Sequence, residues 1–138
     1  MPPRKLDPAG DALVAEAVGH LDRGEEVPPS VLRPAARHLL FVLERDVPGR
    51  SVEMRVPPVA AVQCVEGPRH TRGTPPNVIE TDPVTWLRLA TGRLTWASAV
   101  ESGAVRASGA RADLSAYVPL VLPPRIVRWP QQIELARG

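Results

Sequence analysis

Few residues of this chain are of a type that does chemistry, and their spacing limits what they could do. The three histidines, His20, His38 and His70, are far apart, and the single cysteine, Cys64, has no thiol partner. A zinc-type site gathers four N, S or O ligands, usually at short characteristic spacings, so neither a metal nor a cofactor is expected. Cys64 stands close to His70, but a reactive thiolate needs an electropositive, partly exposed setting. Lying between Val62 and Val65, it reads instead as a buried structural cysteine. Glu53, Glu66, Glu80 and Asp82 flank strand-like segments, yet no spacing singles out two of them for general acid–base work. Asp82 is already explained as a helix cap before Pro83. No catalytic residue is assigned, and the chain reads as non-enzymatic.

The richest polar segment runs from Gly67 to Thr74 (GPRHTRGT). Arg69, His70 and Arg72 could clamp a phosphate or carboxylate, because guanidinium groups present planar forks of donors. The Gly-Lys-Ser/Thr of a phosphate-cradling loop is absent. Because charged loop residues are usually solvated, the segment reads first as a turn whose arginines pair with Glu66, Glu80 or Asp82. Trp86 and Trp96 occupy the apolar faces of two consecutive helix-like stretches. Such aromatics either pack a core or line an apolar cavity.

The elements that would position these groups follow from pattern and punctuation. A chain of 138 residues, 43% hydrophobic and 23% charged, fits one globular domain. Net charge is only +2. The excess of arginine over Lys5 and the 17 prolines accompany abundant alanine and valine, a bias that GC-rich codons produce. Basic residues are interspersed with acidic ones, and no aromatic sits in an arginine cluster, so a nucleic-acid partner is not expected. The start MPPRKLDPAGD lacks the apolar run of a secretory signal, and no stretch is long enough to span a bilayer. A cytoplasmic protein without integral membrane association is the expectation.

Asp7-Pro8 is expected to cap a first helix carrying Val14, Ala17, Val18 and Leu21, ended by Gly24. Ser30 or Arg33 opens a second, with Pro34 near its first turn and Ala36, Leu39, Leu40 and Leu43 on its apolar face. Val52, Met54 and Val56 alternate as in a half-buried strand. Val59–Glu66 is apolar on both faces, which predicts a central strand covered twice. Asn77–Thr81 gives a third strand. Asp82-Pro83 starts a helix through Leu89, and Thr95 caps another with Trp96, Ala99 and Val100 on one face. A short strand over Ala104–Ser108 follows. A last helix is expected through Ala110, Leu114 and Tyr117, and Leu120–Gly138 reads as a loosely ordered tail.

The stretch from Trp86 to Leu114, with WLRLATGRL, WASAV and SGAVRASGARADL separated by Gly92, Gly103 and Gly109, resembles the C-terminal half of sterol carrier protein 2 domains. Pro48–Glu53 and Asn77–Asp82, with the RHTRG loop between them, resemble the short-chain bacterial branch of that family. The resemblance implies an α+β fold, a small twisted mixed or antiparallel sheet covered by helices on one side, with an apolar tunnel between the layers. The domain proper is then expected over 27–120, with the N-terminal helix over 1–26 before it and the Pro-containing tail over 121–138 after it. The resemblance further implies non-covalent binding of a lipid or other hydrophobic small molecule. The walls would come from Val62, Cys64, Trp86, Leu89, Trp96, Val100, Leu114 and Tyr117, with Arg69, His70 and Arg72 at a polar mouth. The alternative is a protein-interaction module that uses the same fold with its tunnel filled.

Overall fold

The computed structural model describes residues 4–68 and 77–127. Asp7 does not cap the first helix. Its Oδ1 accepts the Ala9 N–H at 2.8 Å and its carbonyl accepts the Gly10 N–H at 2.9 Å. Asp7-Pro8 thus forms the turn that leads into helix α1 (Gly10–Asp22), which buries Val14, Ala17 and Val18. Helix α2 (Pro29–Asp46) begins at Pro29, where a missing N–H is not needed. Pro34 falls beyond its first turn, and the carbonyl it leaves without an i+4 donor belongs to exposed Ser30. Ala35, Ala36, Leu39, Leu40 and Leu43 of α2 are fully buried, packed against α1 and two later elements.

Strand β1 (Val52–Val56) shows the expected alternation, with Val52, Met54 and Val56 inward. It pairs antiparallel with β2 (Ala60–Cys64), Met54 opposite Val62 and Val52 opposite Cys64. It pairs parallel with β3 (Val78–Thr81), Met54 opposite Ile79. Helix α3 (Pro83–Ala90) and short helix α4 (Trp96–Glu101) precede β4 (Val105–Ser108), which closes on β3 antiparallel. The sheet is open and mixed, ordered β2-β1-β3-β4, and α2 lies over β2. This is an α+β fold.

Three further expectations are corrected. β2 is an edge strand rather than a central one; only Val62 and Cys64 are buried, while Ala61 faces solvent. The helix expected through Ala110–Tyr117 is a series of turns, in which Asp113 Oδ1 accepts the Ser115 N–H at 2.8 Å. That local bond draws the backbone away from helix. Residues 120–127, expected as loose tail, bury Leu120, Leu122, Ile126 and Val127 in the core. Residues 128–138 of that tail lie outside the described residues.

Candidate functional site

Of the eight residues expected as walls, Val62, Cys64, Trp86, Leu89 and Leu114 are buried in one core cluster. α3 delivers Trp86 and Leu89 inward because its first turn is pinned by Asp82. The Oδ1 of Asp82 accepts the Thr85 N–H at 2.9 Å and its Oδ2 the Thr85 hydroxyl at 2.7 Å. Trp86 is fully buried, and its indole N–H donates to the Ala36 carbonyl of α2 at 3.1 Å, which satisfies the one polar atom that would oppose burial. Leu89 and Leu114 are fully buried beside it in one cluster with Val62 and Cys64. Trp96 and Tyr117 are half-buried against that cluster. Val100 stands apart, 43% exposed, because α4 buries only Ala99. Arg69, His70 and Arg72 lie outside the described residues.

Burial pushes the Cys64 thiol up to about 12, with nearby Glu44 adding to the rise. Cys64 is a protonated, inert thiol at neutral pH. Among the described residues no group of three or more His, Cys, Asp or Glu side chains could hold a metal ion.

The concavities at the end of the sheet and on either side of His38 are lined by residues other than the expected walls. One of about 410 Å³ opens at the end of the sheet beside Glu80, Asp82 and Arg106; Glu80 and Arg106 are ion-paired there. One of about 220 Å³ lies between residues 6–8, α2 and residues 121–123. Another, of about 160 Å³, sits on the other side of His38 beside Phe41. The buried wall residues share one cluster.

With this architecture in view, the model of the family Bacterial SCP ortholog matches residues 28–120. The chain belongs to that family. No curated protein matches it. The matched SCP region begins at the entry to α2 and stops at Leu120, so α1 and residues 121–127 flank it.

Both flanks are fastened to the SCP region by side chains that the sequence did not single out. Arg93 sits in the Gly-Arg-Leu turn after α3. It donates through Nε and Nη2 to the two carboxylate oxygens of Asp22 at the end of α1, both at 2.8 Å. Its Nη1 donates to the Ile126 carbonyl at 2.7 Å and the Thr91 carbonyl at 3.1 Å. At the other end of α1, Asp11 accepts from His38 Nε2 at 3.2 Å. Buried Asn77 joins strand ends: its Nδ2 donates to the Ser51 carbonyl and its Oδ1 accepts the Arg111 N–H, both at 2.8 Å. Apart from Thr91, these partners are 26 to 71 residues apart, so no local spacing marks them.

Proposed function

We propose that this protein is a non-enzymatic carrier of the sterol carrier type, holding a lipid-like hydrophobic molecule between the sheet and α2–α3. The observation that carries the reading is the SCP family match over residues 28–120. The interior suits it chemically, since Val62, Cys64, Trp86, Leu89 and Leu114 offer an apolar wall without an unpaired polar group. Residues 118–127 act as its roof, with Leu120, Leu122, Ile126 and Val127 buried in the same cluster. Two hydrogen bonds join this roof to the helices: Leu120 N–H to the Ala90 carbonyl at 2.9 Å, and Arg93 to Ile126. A ligand enters by displacing roof side chains. Giving up burial of four such groups costs about 8 kcal/mol, which about ten methylenes would replace at ~0.8 kcal/mol each. The carrier therefore selects long chains. Arg69 and Arg72, with His70, supply positive charge for an anionic head.

A titration with fluorescent fatty acids of increasing length tests this, alongside native mass spectrometry of the purified full chain. Hexadecanoyl probes should bind and octanoyl probes should not; Trp96→Arg and the double Arg69→Ala, Arg72→Ala variant should each weaken binding. A protein that is empty on purification and takes up no probe of any length overturns the reading. The closed packing of the walls favours a second reading in that event, a protein-interaction module with a filled interior.

A further inference from the structure

We propose that the outer edge of β2 is an interface at which a second copy of this chain adds its own β2, antiparallel, to make one continuous sheet. The Glu53 N–H donates to the Asn77 carbonyl, on the β3 side of β1, at 2.9 Å. Alternation along a strand then turns the backbone groups of Val52, Met54 and Val56 toward β2. Their partners Cys64, Val62 and Ala60 turn back toward β1. The N–H and C=O groups of Ala61 and Gln63 therefore point away from the sheet, and among the described residues none of them is hydrogen-bonded. The Arg50 guanidinium bonds the Gln63 side chain, Nε to Oε1 at 3.0 Å, and leaves the backbone of that residue clear.

Every open sheet has two edges, and the contrast between them selects this one. Edges that must stay single carry charged side chains that repel a second strand. Residues 57–65 carry none, and Ala61 is exposed and too small to hold a neighbour off. β4 is the opposite case. There Val78 faces Ser108 and Glu80 faces Arg106, so the outward groups belong to Val105 and Ala107. Two-fold pairing through them would set Arg106 directly against Arg106 of the second copy, which is destabilising. On β2 the equivalent register sets Ala61 against Gln63 of the second copy, each such pair exchanging both N–H···O bonds. Between them Val62 meets Val62 of the second copy, apolar against apolar. The charges beyond the edge are complementary as well. Glu53 lies opposite Gln63 and Arg55 opposite Ala61, so the two-fold puts each copy's Glu53 in one row with the other copy's Arg55. A slip of one residue would oppose an inward side chain to an outward one, which fixes the register. With β4 blocked, addition stops at two copies, a closed isologous dimer.

The test is sedimentation velocity of the full chain at pH 7 from about 5 to 500 μM, over which monomer should pass to dimer and to nothing larger. Ala61→Pro removes an N–H from each cross-copy pair, at an edge position that admits proline, and should weaken the dimer about tenfold or more. Ala61→Lys sets an ammonium on the edge and should do the same. Ala107→Lys, at an exposed position of β4, should leave the dimer unchanged. Circular dichroism verifies each variant; if Ala61→Pro is unfolded, Ala61→Lys decides. The double variant Ala61→Cys, Gln63→Cys should link two copies on mild oxidation, because paired positions stand about 5.5 Å apart between Cα atoms. A chain monomeric throughout, assemblies larger than a dimer, a dimer indifferent to both Ala61 variants, or one broken by Ala107→Lys would each overturn the proposal. None of these readouts involves a cargo, so a failed lipid titration leaves them unaffected.

Discussion

At Cys64 burial acts on chemistry and on stability together. The native thiol holds its proton to about 12, against an ordinary value of 9.0. In the unfolded chain it ionises as pH passes 9, while in the native protein it does not. Its contribution to stability is therefore full below pH 9 and falls between 9 and 12. Relative to Cys64→Val, the wild-type unfolding free energy should be level up to pH 8.5 and lower by about 2.5 kcal/mol near pH 11. Parallel curves from urea melts would refute this. Gly49 poses a different problem. Its φ is +149°, and a Cβ there would lie 2.1 Å from the carbonyl of Val65. Val65 is itself held at φ +65°, an unfavourable place for a β-branched residue, by its N–H to the Val47 carbonyl at 2.9 Å and by Ser51. Neither backbone has room to move. Gly49→Ala should cost about 2–4 kcal/mol in denaturant unfolding, far more than Gly24→Ala, where nothing lies within 4 Å.

Among the elements, α3 depends on its cap. Asp82→Ala removes two hydrogen bonds and should lower stability by about 1–2 kcal/mol; Asp82→Asn should recover most of it. Arg93 joins α1, the α3 turn and residues 120–127 through a guanidinium fork. Lysine cannot reproduce that fork, so Arg93→Lys should raise amide exchange in the last turn of α1 and at Leu120–Val127 together. A change confined to one of them would count against the shared fastening. The same elements show what a sequence discloses. Asp82-Pro83 and Thr95 mark helix starts because capping is a contact within one turn, and Val52, Met54 and Val56 mark a strand because their period is local. Val59–Glu66 misled because Ala61 is apolar yet small enough to sit on an edge strand without a cover, and because Val65 lies past the strand's end at Cys64. The turns at 110–117 misled because three apolar residues at helical spacing were outweighed by the Asp113–Ser115 bond and Pro119. Trp86, Leu89 and Cys64 were legible as buried, since burial follows from type and pattern. Asp11–His38 and Asp22–Arg93 were not, since each pairing is set by how helices cross and leaves no trace in spacing.

In the whole molecule, one sheet face is interior and the other is water-facing and salt-bridged, with Glu53 joined to Arg55 and Glu80 to Arg106. All stabilising apolar burial must therefore come from the helical side, including the flanks. Removing both flanks would expose the surfaces now covered by Val14, Ala17, Val18, Leu122, Ile126 and Val127. At roughly 1.5–3 kcal/mol for each large side chain, the loss approaches the 5–15 kcal/mol typical of a whole domain. A fragment of residues 28–120 should show no cooperative thermal transition, and one that melts sharply at the full-length midpoint would contradict this. The placement of Arg93 also bears on the order in which the chain can mature during synthesis. Asp22 and Arg93 are 71 residues apart, a delay of roughly 4 to 14 s at typical ribosomal speeds of about 5–20 residues per second. Helix α1 has α2 to lean on during that interval, held at its near end by Asp11 and His38. Its far end is left waiting for a side chain not yet made, and Arg93 in turn waits for Ile126. The seam between the flanks and the family domain is accordingly the last part of the protein to close.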